Sequence, residues 1–217
     1  MKTNESLALE ITNQIKQDPL LKDAQIVVNI GDTDVVLRGT VNKFFKKVLI
    51  HKIVSDVTGI KNINDQLRVI LSSSGQPDEV IEAAVVKKFE TNFGNTYKKI
   101  SLSVTAGEVV LGGTVKWTYQ KQLATDCISY IEGIVAIDNQ IAIDSKSEPE
   151  IRERDILAAI YKDESITSNI NIDVTGRKVT LTGTLPSLSK KELVEKIVLS
   201  IAGVHDIDNR IVIIAEV

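Results

Sequence analysis

Val35-Val36-Leu37-Arg38-Gly39-Thr40-Val41 recurs 74 residues on as Val109-Val110-Leu111-Gly112-Gly113-Thr114-Val115, and 70 residues later as Val179-Thr180-Leu181-Thr182-Gly183-Thr184-Leu185. Apolar residues alternate up to a Gly-Thr pair each time, the pattern of a half-buried strand. Twenty residues beyond the shared glycine stands another, Gly59, Gly133 or Gly203, followed by Ile60-x-x-Ile63, Ile134-x-x-Ile137 or Val204-x-x-Ile207. Thirteen residues before it a second alternating stretch begins: Ile26, Val28, Ile30; Ile100, Leu102, Val104; Ile170, Ile172, Val174. A repeat this regular, spread over the whole chain, means three copies of one structural unit. The units are residues 1–72, 73–145 and 146–217, joined at Ser72–Pro77 and Ser145–Pro149, short polar stretches with proline. Such joints are too brief to let neighbours drift far, so the copies are expected to touch.

Each copy opens on an amphipathic helix, read from apolar residues four apart: Leu7, Ile11, Ile15; Ile81, Val85, Phe89; Ile156, Ile160. The two alternating strands follow, separated by turn residues such as Thr105-Ala106-Gly107-Glu108, and pair as a hairpin. A second helix carries Leu49, Ile50, Ile53, Val54, Val57 in copy one, Leu123, Ala124, Cys127, Ile128, Ile131 in copy two and Leu193, Val194, Ile197, Val198, Ile201 in copy three. Gly59, Gly133 and Gly203 are read as its C-terminal caps. A third strand closes each unit over Gln66–Leu71, Gln140–Asp144 and Arg210–Ala215. The expected fold is α+β: three tandem α-β-β-α-β domains, each a three-stranded mixed sheet with two helices on one face. Units of about 70 residues have marginal cores, so packing between copies would add stability.

This pattern resembles the BON domain family (bacterial osmotic-stress and nodulation domains). The resemblance rests on Val-x-Leu-x-Gly-Thr-Val and on the endings Gly59-Ile60-x-x-Ile63-Asn64-Asp65-Gln66-Leu67, Gly133-Ile134-x-x-Ile137-Asp138-Asn139-Gln140-Ile141 and Gly203-Val204-x-x-Ile207-Asp208-Asn209-Arg210-Ile211. It covers nearly the whole chain, and its motifs are turns, caps and core positions, none of which performs chemistry. It implies a non-enzymatic domain that binds phospholipid membranes, in proteins linked to osmotic stress and envelope integrity. Periplasmic members are frequent. The chain as written begins without a signal-peptide pattern and is expected in the cytoplasm, or in the periplasm if a leader precedes Met1.

Composition narrows function by exclusion. The 217 residues carry a net charge of -3, with 43% hydrophobic and 25% charged residues, the profile of a folding globular chain. No apolar run is long enough to span a bilayer. The single cysteine and two histidines set no metal cluster, intramolecular disulfide or cofactor site. Cys127 occupies the helix position of Ile53 and Ile197, which makes it a small core hydrophobe. His51 and His205 have no titratable counterparts in common and are read as surface residues. The Asn64-Asp65, Asp138-Asn139 and Asp208-Asn209 pairs are read as side-chain turns between helix and strand. Catalytic, metal and cofactor residues are therefore expected to be none, and nucleic acid is not an expected partner.

One patch suits a ligand. The second helix of copy one starts Lys43-Phe44-Phe45-Lys46-Lys47 and that of copy two Lys116-Trp117-Thr118-Tyr119-Gln120-Lys121. Aromatics beside lysines at a helix start fit an anionic lipid surface, the rings at the apolar boundary and the ammonium groups on the headgroups. The tentative lipid-binding set is Lys43, Phe44, Phe45, Lys46, Lys47, Trp117, Tyr119 and Lys121. Packing of Phe45 and Tyr119 inside a domain or at a joint between copies is the bland alternative. Copy three, Leu185-Pro186-Ser187-Leu188-Ser189-Lys190-Lys191, has no aromatic there, and only copy one is basic, at +2 against -3 and -2 for copies two and three. The expected partner is an anionic phospholipid surface or an envelope or stress protein; the competing reading is a protein-interaction scaffold using open sheet faces or edge strands, including self-association.

Overall fold

The computed structural model describes residues 3–31, 34–71, 75–144, 151–166 and 170–214. Residues 72–74 of the first expected joint, the whole of the second (145–149), the turn residues Asp32 and Thr33, and Ala215 lie outside the described residues.

Copy one runs α1 (Asn4–Gln17), β1 (Gln25–Gly31), β2 (Asp34–Val41), α2 (Phe44–Ser55), β3 (Asn62–Val69). Copy two repeats it as α3 (Asp78–Phe93), β4 (Ile100–Thr105), β5 (Glu108–Val115), α4 (Thr118–Ile128), β6 (Ala136–Asn139) and β7 (Ala142–Ile143). Copy three is α5 (Glu153–Ile160), β8 (Ile170–Thr175), β9 (Lys178–Leu185), α6 (Leu188–Leu199), β10 (Asp206–Asn209) and β11 (Val212–Ile213). The fold is α+β, with three separate mixed sheets. In each the middle strand is the Val-x-Leu-x-Gly-Thr strand, antiparallel to the first and parallel to the third.

The hairpin partner explains the shared glycine. Gly39 has φ +135°, and a Cβ there would lie 1.8 Å from the carbonyl oxygen of Gln25; at Gly113 (φ +88°) the distance to the Lys99 oxygen is 2.1 Å. The first strand crosses so close that a side chain has no room.

Two expectations on the second half of each unit are corrected. The helices stop before their glycines: α2 ends at Ser55 and the chain then winds down through tight turns, Val57 N–H donating to Val54 O and Ile60 N–H to Val57 O. Gly59, Gly133 and Gly203, with φ of 96°, 94° and 100°, close that turn instead of capping the helix directly. The third strand starts four residues earlier than expected, at Asn62, Ala136 and Asp206, so the Asn/Asp pairs lie within it. The second member of each pair still makes the side-chain turn: Asp65 accepts from Leu67 N–H, Asn139 from Ile141 N–H and Asn209 from Ile211 N–H. In copies two and three the ladder is interrupted there, which divides the third strand into β6 and β7, and into β10 and β11.

Each unit keeps its own core under its sheet, built on Ile11, Leu37 and Ile50; Ile81, Leu111 and Ile128; and Ile156, Leu181 and Val198. The outward sheet faces are largely polar. On β3, Asn62, Asn64, Gln66 and Arg68 are exposed, while Leu67 is buried.

Candidate functional site at the starts of the second helices

Residues 44, 118 and 188 are equivalent under the repeat and open α2, α4 and α6. Each meets a neighbouring copy. Phe44 packs on the core of copy two. Thr118 Oγ1 donates to Val204 O of copy three at 2.7 Å. Leu188 belongs to the buried cluster of copy one. The start of each second helix thus meets a neighbour, in cyclic order, and at the joint of copies two and three it meets the turn after the neighbouring second helix. Asp126 and Lys196, themselves equivalent positions, pair across α4 and α6 at 2.5 Å. The contacts run head to tail: copy one on copy two, copy two on copy three and copy three on copy one.

The joint of copies one and two uses most of the first lysine and aromatic patch. Phe45 stacks on Tyr130, ring centroids 6.0 Å apart and planes at 17°. Lys43 Nζ pairs with Glu132 at 2.9 Å. Lys46 is only 7% exposed, and its ammonium binds the Asp23 carboxylate, which also accepts from the Asn42 amide. The Lys46 hydrogen bond holds the Asp23 carboxyl below its ordinary range. Lys47 donates to Leu67 O at 3.0 Å and faces Asp65, tying α2 to β3. Lys191 makes the same bond to Ile211 O in copy three.

The second patch is differently placed. The Gln120 side-chain oxygen accepts from the N–H groups of Lys116 and Trp117 and fixes the turn into α4. Trp117 is half-buried with the Lys116 ammonium 4.6 Å from its ring centroid. Tyr119 is exposed and Lys121 half-exposed. Neither Lys116 nor Lys121 has a carboxylate partner among the described residues. The structure therefore does not bring the eight residues into one patch: the copy-one residues border copy two and their own sheet, and Trp117, Tyr119 and Lys121 lie at the start of α4, beside the Thr118 contact to copy three.

Sequence reasoning missed Tyr130, Glu132, Asp23 and Val204. Tyr130 had a signal, since an aromatic stands there where copies one and three have Asp56 and Ser200. The other candidates are placed as follows. Cys127 is half-buried against the copy-two core, its Sγ near Ala124 O, and burial pushes the thiol up to about 11. His51 lies at the joint of copies one and three, 3.9 Å from Glu192, and is not a plain surface residue. His205 faces Arg177.

The BON domain family model matches residues 3–70, 77–145 and 150–215. The chain belongs to the BON domain family. No curated protein matches it. Two solved structures of CdsD, a structural protein of the type III secretion system of Chlamydia trachomatis, are similar at 19% identity. One, of the C-terminal domain, covers 99% of this chain and 100% of that chain with a TM-score of 0.25; the other covers 97% and 93% with a TM-score of 0.26. Superpositions that loose carry no weight for function. BON domains are a family of binding modules, and the three BON domains here meet through their second helices. No helix among the described residues is long and apolar enough to cross a membrane.

Proposed function

We propose that this chain is a non-enzymatic binding module that docks peripherally on anionic phospholipid, in a stress-protective role at the envelope. The observation that carries the reading is the start of α4, where Trp117, Tyr119, Lys116 and Lys121 combine rings with ammonium groups that have no carboxylate partner among the described residues. Lys43, Phe44, Phe45, Lys46 and Lys47 enter the reading as the joint and sheet contacts that orient the second BON domain toward the surface. Such docking is worth about 1 kcal/mol per basic residue near an anionic leaflet, and it is screened as the Debye length falls from about 10 Å at 0.1 M salt to about 3 Å at 1 M.

The test is co-sedimentation of the full chain with phosphatidylcholine vesicles, with and without phosphatidylglycerol or cardiolipin, at low and high salt. Binding to the anionic vesicles alone, weakened by salt, is the expected result. A chain that ignores anionic vesicles at low salt overturns the reading in favour of a protein scaffold. Equivalent residues Ile70 and Ile214, 58% and 54% exposed just beyond edge strands β3 and β11, give that scaffold its edges.

A further inference from the structure

Between α1 and β1 of the first BON domain lies a cleft of about 280 Å³. Its closed side is Ile15 and Leu21, both almost fully buried, and its open side is Ala24, Ile26 and Val28, all half-buried. Lys16 and Lys22 stand at its rim, both exposed. Neither has a carboxylate partner among the described residues. The two acids closest along the chain are engaged elsewhere: Asp18 accepts from Leu20 N–H, and Asp23 is held by Lys46 and Asn42. A trough with Ile15, Leu21, Ala24, Ile26 and Val28 along it, and with the Thr12 hydroxyl and two ammonium groups without a carboxylate partner among the described residues in its lining, is complementary to an alkyl chain ending in an anion.

Size and the sister copy sharpen this. The volume is roughly twice the about 150 Å³ of a cavity that takes one benzene ring, so a single chain of roughly ten carbons fits and a two-chain phospholipid does not. In copy two the equivalent positions carry rings and an acid. Ile15 is replaced by Phe89, which stands edge-to-face with Phe93, centroids 5.4 Å apart, and Tyr97 packs on the same core. Lys16 is replaced by Glu90, which accepts from the Tyr97 hydroxyl at 3.0 Å. The repeat unit is thus stable with this region filled by rings and an acid at the rim; copy one leaves it open and basic.

We infer that the α1/β1 cleft of the first domain binds a medium-chain fatty acid, the chain lying on Ile26 and Val28 and the carboxylate meeting Lys16 and Lys22. The inference stands apart from membrane docking, since it concerns a soluble ligand and a different domain.

The test titrates the full chain with decanoate below its micellar concentration, with acetate and decanol as controls, by calorimetry and by methyl NMR shifts. Saturable decanoate binding is expected, with shifts confined to the Ile15, Ile26 and Val28 methyls, and decanol weaker by about tenfold for want of the charge-assisted pair. Lys16→Glu/Lys22→Glu, a change of two exposed side chains, should weaken decanoate by about tenfold or more. Ala24→Phe should abolish binding by filling the trough as rings do in copy two. The proposal is overturned if decanoate binds no better than acetate, if its shifts fall in copies two or three, or if the lysine variant binds as the wild type does. Vesicle binding by the wild type is read separately, so either result can fail alone.

Discussion

The starts of α2 and α4 occupy the same place in two copies of one domain and carry similar residue types, yet they do different work. At α2 the rings and lysines are turned inward, Phe44 and Phe45 onto the second domain and Lys46 onto Asp23. At α4 the neighbour is met by Thr118, one short hydroxyl on one carbonyl, with Trp117 beside it half-buried and Tyr119 exposed. Aromatic and basic composition at a helix start therefore does not decide whether its rings pack at a joint or lie nearer the surface. What distinguishes them is the end of the neighbouring helix, which offers Tyr130 and Glu132 to α2, while copy three has the small residues Ser200 and Ala202 at those two places.

The sharpest way to break this contrast is Phe44→Ser. Removing a half-buried ring from the joint should lower stability by about 2 kcal/mol, below the 3–5 kcal/mol range of a fully buried phenylalanine, as read from denaturant unfolding. Thr118→Ser keeps the hydroxyl and should leave the midpoint within about 0.5 kcal/mol. If both variants unfold alike, the two starts are not different in kind. Next in size is Trp117→Ser combined with Lys121→Glu, for which anionic vesicle affinity should fall by about tenfold or more while the melting temperature holds. Loss of stability with unchanged vesicle binding would make the α4 start a joint as well.

Acid pH separates the starts more gently. Asp23 has its folded-state carboxyl held down by Lys46, so its contribution is complete above the unfolded value near 3.9 and is lost as pH falls through the lower folded value. Half of that side chain meets solvent, so the effect is modest. Lys46→Met should flatten the acid limb of a stability-against-pH curve, whereas Gln120→Met at the equivalent place should not; an unchanged limb in Lys46→Met would remove the ion pair from the account. The smallest effect belongs to Lys43→Ala, an exposed pair with Glu132 whose loss should cost no more than about 0.5 kcal/mol, measured beside Glu132→Ala and the double variant as a cycle.

Much of the fold could be read from residues that recur. The glycine at 39, 113 and 183 and the apolar sets of the helices place every element within a few residues, because backbone approach and burial impose the same demand in each copy. The helix ends were misread because a positive-φ glycine closes a turn after the helix as readily as it caps the helix itself. The Asn/Asp pairs were misplaced because a side-chain turn can interrupt a strand as well as precede one. Lys46 gave no warning of burial: its partner Asp23 lies 23 residues upstream, and the equivalent position in copy two is Tyr97. Contacts between copies are set by the packing of separately folded units, and no local spacing encodes them; Thr118 and Val204 stand 86 residues apart.

The cyclic order of the joints bears on how long such a chain can be. A contact between unlike surfaces either closes into a ring or continues without limit. Here the start of the third unit's second helix returns to the core of the first, so the head-to-tail contacts come back to their origin within one polypeptide. A chain cut back to two units would carry one unmatched surface at each end, the arrangement from which filaments grow. Three is the number at which duplication of this unit stops being open-ended.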